Sequence, residues 1–148
     1  MKKFFTGKLS VAALAWFLLL TSACNDDDNK PENPQEFIKK TWHIGATGYV
    51  KKDGSALTSE YANLRVTLKS DGTYSTINGK KLFFPSGIWN WVGTGTGQFL
   101  VDGDLSVTVT ELTKTSLKIK FTMDEDHVNT SGRTQAVLGN YEVALEAE

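Results

Sequence analysis

The chain has 148 residues, a formal net charge of −1 at pH 7 and 40% hydrophobic residues, which suits one domain of ordinary size. The near balance of acidic and basic residues argues against a nucleic-acid partner, because such a partner would require a basic surface. A single cysteine excludes an intrachain disulfide, so we expect the fold to depend on its hydrophobic core.

The first 23 residues show the three parts of a secretory signal. Three lysines lie within residues 1–8, an almost wholly apolar segment spans 11–20, and small residues occupy 21–23. The apolar segment is too short to cross a bilayer, so we predict a cleaved signal peptide over 1–23. A retained anchoring helix is the alternative.

The segment after the apolar stretch ends in the only cysteine of the chain, Cys24. Residues 21–24, Thr-Ser-Ala-Cys, resemble the lipobox of bacterial lipoproteins, with Thr21 in place of the usual leucine. The resemblance implies cleavage before Cys24, a diacylglyceryl thioether on its sulfur and an acylated amino group. Each buried lipid methylene contributes roughly 0.8 kcal/mol, so we expect a membrane partner held through this lipid anchor.

Residues 24–33 form a polar, acidic segment without a large apolar side chain. Such a segment cannot bury surface, so we predict a disordered tether over 24–33. Its acidic run at residues 26–28 resembles the surface-export signal of Bacteroidota lipoproteins and implies display on the outer membrane at the cell surface. A plain charged linker is the alternative. Loss of residues 1–23 removes three lysines and no acid, which changes the formal net charge from −1 to −4.

The remaining residues, 34–148, are predicted to form one all-β domain that begins with a short helix. Asn33 suits the N-cap, Pro34 suits the first helical position and Glu36 follows three residues after the cap. This helix is expected to continue through Lys40 with Phe37 as its apolar anchor. No second helix is expected.

Beyond the helix, apolar residues recur at every second position. This period predicts antiparallel strands with one buried and one solvated face. The alternating apolar sets are Trp42/Ile44/Ala46, Leu64/Val66/Leu68, Leu105/Val107/Val109, Leu117/Ile119/Phe121 and Tyr141/Val143/Leu145. Turn dipeptides lie between them at Asp53-Gly54, Asp71-Gly72, Asn78-Gly79 and Asp102-Gly103. Asn78-Gly79 predicts a hairpin between residues 73–77 and 80–84. We expect eight to ten strands in a small up-and-down barrel, with a β-sandwich as the alternative.

Five segments in this order resemble the lipocalin-like domains of small Bacteroidota lipoproteins. They are the first strand with Trp42, residues 64–75, the Ser-Gly-Ile-Trp-Asn-Trp run at 86–91, residues 107–121 and residues 138–146. The resemblance implies an up-and-down barrel of about eight strands, which can be just wide enough to hold one small ligand.

Trp89 and Trp91 are two residues apart on a predicted strand and therefore share one face. Their indoles would either offer a stacking platform to a ligand or fill the barrel core. Because pockets are mostly apolar and aromatic, a ligand-binding barrel would be lined by a set of aromatic side chains. The candidate ligand-binding residues are Trp42, Tyr74, Trp89, Trp91 and Phe121.

The acidic stretch at residues 123–127 is predicted to be a solvated loop, because it lacks the ligand spacing and the glycine of a calcium site. His43 and His127 have no catalytic companion at a diagnostic spacing, and the known hydrolase and phosphate-loop motifs do not occur. We therefore expect no enzymatic activity, no metal and no cofactor. Two functions are predicted as alternatives. The first is binding of a small apolar or glycan-derived ligand. The second is a structural or interaction role with another envelope protein, for a barrel whose core is filled.

Overall fold

A computed structural model describes residues 32–79, 81–129 and 137–148 of the chain. The predicted signal peptide at 1–23, the predicted lipidation site Cys24 and the predicted tether up to residue 31 lie outside the described residues. Within the described ranges, the longest and most apolar helix falls short of what a membrane crossing requires.

The described part of the chain is mostly antiparallel β-structure. Two short α-helices are α1 (Pro34–Phe37) and α2 (Glu125–Asn129), and a 3₁₀ helix covers Thr58–Tyr61. The strands are β1 (Thr41–His43), β2 (Tyr49–Lys52), β3 (Ser55–Ala56), β4 (Arg65–Leu68), β5 (Thr73–Ile77), β6 (Ser86–Trp91), β7 (Gln98–Val101), β8 (Leu105–Leu112), β9 (Ser116–Met123) and β10 (Gly139–Ala147).

Eight of these strands close into a barrel. The order is β1-β4-β5-β6-β7-β8-β9-β10, and β10 pairs back with β1, where Trp42 lies opposite Ala147. Each neighbouring pair is antiparallel. The hairpin of β2 and β3 extends the sheet beside β10. The predicted all-β up-and-down barrel is therefore confirmed, and closure removes the free edges that an open sheet would expose.

The predicted first strand is interrupted after His43. His43 lies opposite Glu146 of β10, whereas the next paired residue, Tyr49, lies opposite Ala144. Residues 44–48 therefore bulge out beside Leu145, and the Glu146 carboxylate accepts hydrogen bonds from the Thr47 backbone N–H (2.7 Å) and hydroxyl (2.6 Å). The prediction of one alternating strand through Ile44 and Ala46 was wrong in its extent, because β1 ends at His43. Ile44 still donates its N–H to Leu64 O at 3.2 Å and packs against the core, whereas Ala46 lies outside the ladder.

The core lies inside the barrel and is built from the apolar phase of the strands. Along β9, burial alternates residue by residue, and β8 and β10 place their apolar positions on the same inner side. The largest completely buried side chains are Trp42, Ile38, Leu64, Leu82, Leu105, Leu117 and Met123. The predicted period of two therefore identifies the barrel interior.

Two of the turn dipeptides form hairpins with both residues at positive φ. Asp53 and Gly54 have φ of 48° and 81°, and Asp102 and Gly103 have φ of 56° and 83°. This geometry suits the right-handed twist of the flanking strands.

The predicted hairpin at Asn78-Gly79 does not form. Residues 73–77 make β5 as expected, but β5 pairs with β6, which begins only at Ser86. The intervening Leu82 and Phe83 are both buried, at 0% and 6% exposure, and they lie in a turn in which the Leu82 N–H donates to Gly79 O at 2.9 Å. Pro85 also lacks an N–H for a ladder.

Helix α1 begins as predicted, since the Asn33 side chain accepts a hydrogen bond from the Gln35 backbone N–H at 3.0 Å. The helix ends at Phe37, three residues earlier than predicted. Ile38, directly after it, is completely buried, whereas Phe37 is half-buried. The apolar anchor of this segment is therefore Ile38.

The prediction that no second helix exists was wrong. Helix α2 begins within the stretch at 123–127 that was expected to be a loop and extends to Asn129. Asp124 precedes it, and its carboxylate accepts a hydrogen bond from the His127 backbone N–H at 3.1 Å. An aspartate in this position supplies the acceptor that a helix N-terminus requires, so capping explains the helix where an apolar pattern is missing.

Candidate functional site

The five aromatic residues predicted to line a pocket lie on the inner side of the barrel, largely as part of the core. Trp42, Tyr74, Trp89 and Phe121 are buried, and Trp91 is half-buried against the core cluster. Their polar atoms are mostly bonded within the protein: Trp42 Nε1 to Ile38 O (2.8 Å), Tyr74 Oη to Asp102 Oδ2 (2.7 Å), and Trp89 Nε1 to Lys69 O (3.1 Å). In the described part of the chain, Trp91 Nε1 is the buried side-chain donor that has no partner.

These residues belong to separate aromatic groups. Trp89 and Trp91 each meet the ring of Phe99 edge-on, and the two indoles are 5.8 Å apart. Phe121 stacks on Tyr141 with ring centroids 5.2 Å apart. Such edge-to-face and offset contacts are typical of packed cores. The structure therefore brings Trp89 and Trp91 together, as predicted, and places Phe121 in another group.

The gap that the described residues enclose inside the barrel is very small. The interior gap has a volume of about 20 Å³, and Tyr74 is the one predicted ligand-binding residue that lines it. Sites for small molecules usually have volumes of about 300–1,000 Å³. An interior of this size has no room for such a ligand without rearrangement of the core.

A larger concave surface lies on the outside of the barrel, across β2, β10, β9 and β8. We call it the outer groove, and its volume is about 510 Å³. Antiparallel register places its side chains in two rows. The first row is Lys51, Glu142, Lys120 and Thr108, and the second is Asp53, Asn140, Thr122 and Ser106. Asp124 and His127, beside and within α2, line one end of the groove.

Three residues of the second row, Asp53, Asn140 and Thr122, are joined by hydrogen bonds. Asp53 Oδ1 accepts from the backbone N–H of Asn140 at 2.9 Å and from its amide Nδ2 at 3.3 Å. Thr122 Oγ1 lies 2.8 Å from Asn140 Oδ1 and donates to it. The Asn140 N–H, followed by Lys52, lowers the pKa of Asp53, so this carboxylate is ionised at neutral pH.

The first row is organised around Glu142. The Tyr49 hydroxyl donates to Glu142 Oε1, and Lys120 Nζ lies 3.4 Å from Glu142 Oε2. These contacts lower the pKa of Glu142, with the Tyr49 hydrogen bond as the largest cause. The same hydrogen bond raises the pKa of Tyr49 to about 12. Lys51 Nζ lies 4.4 Å from the centroid of the Tyr49 ring, so cation–π attraction fixes this ring on the outer face.

The end of the groove is set by the capped helix. The His127 N–H, which bonds to the Asp124 carboxylate, is the largest cause that lowers the pKa of Asp124. His127 Nε2 also lies 3.4 Å from the Asp104 carbonyl oxygen, which ties α2 to the β7–β8 turn. Among the described residues, the acids and histidines do not gather into a group of three suited to a metal ion.

Of the predicted ligand-binding residues, Phe121 lines the outer groove, whereas the polar residues of the groove were absent from the predicted site. The sequence signal that identifies them is the polar phase of the alternating strands, in which Ser106 and Thr108, Lys120 and Thr122, and Asn140 and Glu142 point outward. The register that places these pairs side by side is a property of the folded barrel.

A second, smaller concavity of about 360 Å³ lies on the same outer face of β9 and β10. Its lining includes Thr47, Ser116, Lys118, Ala144 and Glu146. The pair of Lys118 and Ala144 is the next outward-facing pair along the two strands after the pair of Lys120 and Glu142. The two concavities therefore succeed one another along the same pair of strands.

Comparisons of this chain with protein-family models, with curated proteins and with solved structures find no significant match.

Proposed function

We propose that this protein is a lipid-anchored lipoprotein of the bacterial outer membrane, of the Bacteroidota surface type, whose lipocalin-like barrel is a non-enzymatic recognition module. The barrel core is filled and serves as a rigid support. Recognition takes place on the outside of the barrel. This proposal corresponds to the second predicted function, an interaction role for a barrel with a filled core.

The observation that carries the proposal is the contrast in volume between the two sides of the sheet. Among the described residues, the gap inside the barrel has a volume of about 20 Å³, and the outer groove has a volume of about 510 Å³. A small barrel can be filled by its own side chains, in which case it has no internal binding site. The lipobox resemblance at Cys24 supports the membrane anchor, and the acidic run at 26–28 supports display at the cell surface.

The anchor is tested by metabolic labelling of cells with an alkyne analogue of palmitate. We expect label on the wild-type protein in the outer-membrane fraction and its loss in Cys24→Ala. Protease treatment of intact cells then tests surface display, with a periplasmic protein as the control. An unlabelled wild-type protein, or a barrel protected in intact cells, would contradict this part of the proposal.

The filled core is tested by truncation of Trp89, whose ring contacts Trp91 and Phe99. Trp89→Ala should destabilise the protein by about 3–5 kcal/mol in urea unfolding, because it leaves a large cavity. The wild-type protein should not increase the fluorescence of anilinonaphthalene sulfonate, a dye that binds apolar pockets. A folded and stable Trp89→Ala variant, together with dye binding by the wild type, would instead favour an internal apolar ligand.

A further inference from the structure

We infer that the outer groove binds a neutral, hydroxyl-rich ligand of the oligosaccharide class. This inference rests on the proposed function, namely that recognition takes place on the outside of the barrel, and it names the ligand class. It is carried by the charge balance, hydrogen-bonding capacity, rigidity and shape of the groove.

The charges of the outer groove nearly cancel. The ammonium groups of Lys51 and Lys120 face the carboxylates of Asp53, Glu142 and Asp124, with His127 beside Asp124. An anionic or a cationic ligand would meet groups of its own sign within the same groove, and like charges at short range are unfavourable. The lining therefore favours a ligand without net charge.

The groove also offers hydrogen-bond donors and acceptors in alternation. The hydroxyls of Ser106 and Thr108 can donate and accept, whereas Thr122 Oγ1, whose proton goes to Asn140, can only accept further. The Asn140 amide keeps one N–H beside the bond to Asp53, the lysines donate, and the ionised carboxylates accept. A sugar hydroxyl likewise donates one hydrogen bond and accepts others. A ligand that carries many hydroxyls matches this mixed surface better than a ligand with only donors or only acceptors.

Several side chains of the groove are held in place before a ligand arrives. Asn140 is fixed by Asp53 and Thr122, and Glu142 is fixed by Tyr49. Groups that are already ordered lose little conformational entropy on binding, so more of the interaction energy appears as affinity. A set of fixed polar groups suits a ligand whose hydroxyls have fixed directions, as on a sugar ring.

A peptide matches the groove less well. Strand β10 is paired with β9 on one side and with β2 on the other, and β9 is paired with β8 and β10. The backbone beneath the groove is thus already used, and a peptide cannot add to it as a further strand. The outward positions of the groove are polar, and Phe121 and Tyr141, which also line it, are buried in the core. The apolar anchors of an amphipathic helix would therefore find no free apolar pocket.

The shape of the face favours an oligomer over a single sugar. From Asn140 to Glu146 the two concavities follow β10 for about 20 Å, at the usual rise of a strand. Tyr49 pairs opposite Ala144, which lines the smaller concavity, and its half-exposed ring carries the Lys51 ammonium over one face. A pyranose could contact the exposed part of this ring while its hydroxyls bond to the polar rows.

The test is a binding measurement with the full-length lipoprotein in detergent micelles. The probes are a panel of neutral oligosaccharides, namely the hexamers of maltose, cellulose, mannan and chitin series, titrated by calorimetry up to about 1 mM. Thr108→Trp places a bulky ring in the groove at an exposed position of β8. Ser86→Trp is the matched control, since Ser86 is exposed on β6 outside the groove.

We expect at least one hexamer to bind the wild type and Ser86→Trp equally, and Thr108→Trp to lose at least about tenfold in affinity. Asn140→Ala should lose a similar factor without adding bulk. If no hexamer binds the wild type, or if Thr108→Trp and Asn140→Ala both bind like the wild type, the inference is overturned. The proposed function would survive that result if Cys24 is labelled and the core is closed, and the partner would then be a protein.

Discussion

The inside and the outside of the barrel use the same strands in opposite ways. Inside, apolar side chains fill the space almost completely, and the few polar atoms are mostly bonded to nearby protein groups. Outside, across β8, β9, β10 and β2, polar side chains pair laterally with one another and still line a concave surface open to solvent. In a small barrel, the aromatic-rich inward positions can therefore be entirely structural, while the polar outward positions of the same strands form the candidate site.

Strand β9 shows the division most directly. Its inward residues are part of the core, its outward residues line the two concavities, and Phe121 of the inward set also contributes to the outer groove. The inward set is Leu117, Ile119, Phe121 and Met123, and the outward set is Lys118, Lys120 and Thr122. Substitutions on the two faces of this sheet should therefore differ strongly in their cost to stability.

The largest expected effect is the truncation of Trp42, which is completely buried and bonded through Nε1 to Ile38 O. Trp42→Ala should lower the free energy of unfolding by about 3–5 kcal/mol, because it removes a large core side chain and leaves a cavity. Urea unfolding followed by fluorescence measures this loss. A loss below about 1 kcal/mol would mean that the interior is loosely packed.

A smaller effect is expected where the backbone approaches the core closely. A Cβ at Gly87 would lie 1.9 Å from Asp102 Oδ1 and 2.7 Å from Tyr74 Cε1. Gly87→Ala should therefore disturb the hydrogen bond between Tyr74 and Asp102 and cost about 1–3 kcal/mol by overpacking.

The matched control for this prediction is Gly97→Ala, where an added Cβ would meet no atom within 4 Å. Urea unfolding should show little change for that variant. Equal losses for the two glycines would indicate a general effect of the substitution and would contradict the role of close approach at Gly87.

On the outer face, replacing a side chain with one of similar shape should change the free energy of unfolding only slightly. Thr122→Val keeps the volume of an exposed side chain and removes its hydrogen bond to Asn140. We expect a change within about 0.5 kcal/mol in urea unfolding, as is usual for surface positions. A loss comparable to that of Trp42→Ala would show that the groove is a structural part of the barrel.

The smallest expected effect is the dependence of the free energy of unfolding on pH. The pKa values of Asp53 and Glu142 are lowered from 3.8 and 4.5, so their contribution to stability is complete above these ordinary values and is lost as pH falls through the lowered ones. For Tyr49 the pKa is raised from 10.0 to about 12, so its contribution is present below pH 10.0 and is lost as pH rises through about 12.

Urea midpoints measured across this range should therefore be flat near neutral pH and decline at both ends. Glu142→Gln should reduce the decline on the acid side, because glutamine has no carboxyl proton to bind. The same acid decline in Glu142→Gln and in the wild type would contradict the assigned role of this carboxylate.

The strands were predictable because a period of two is a local property of the sequence. Leu117, Ile119 and Phe121 indicate the inner face of β9 without any knowledge of its neighbours. The loop at 78–85 was not predictable from Asn78-Gly79, because that turn signal competes with the burial of Leu82 and Phe83 inside the barrel, which is a tertiary effect. Helix α2 depends on one cap at Asp124, which an acidic run does not distinguish from a solvated loop.

The candidate site could be predicted only in part. Trp89 and Trp91 were correctly placed on one face, but a strand pattern gives no measure of how side chains from eight strands fill a shared interior. The outer groove depends on register, which sets Glu142 between Lys51 and Lys120. That alignment combines residues far apart in the sequence and is visible only in the folded chain.

The central claim, that the barrel has no internal site, is tested most directly by crystallography of the full chain under xenon pressure. Leu117→Ala is the positive control, since Leu117 lines the interior gap of about 20 Å³ and its truncation enlarges an apolar cavity. We predict a xenon atom inside the barrel of Leu117→Ala and none inside the wild type. Xenon bound within the wild-type barrel would contradict the account.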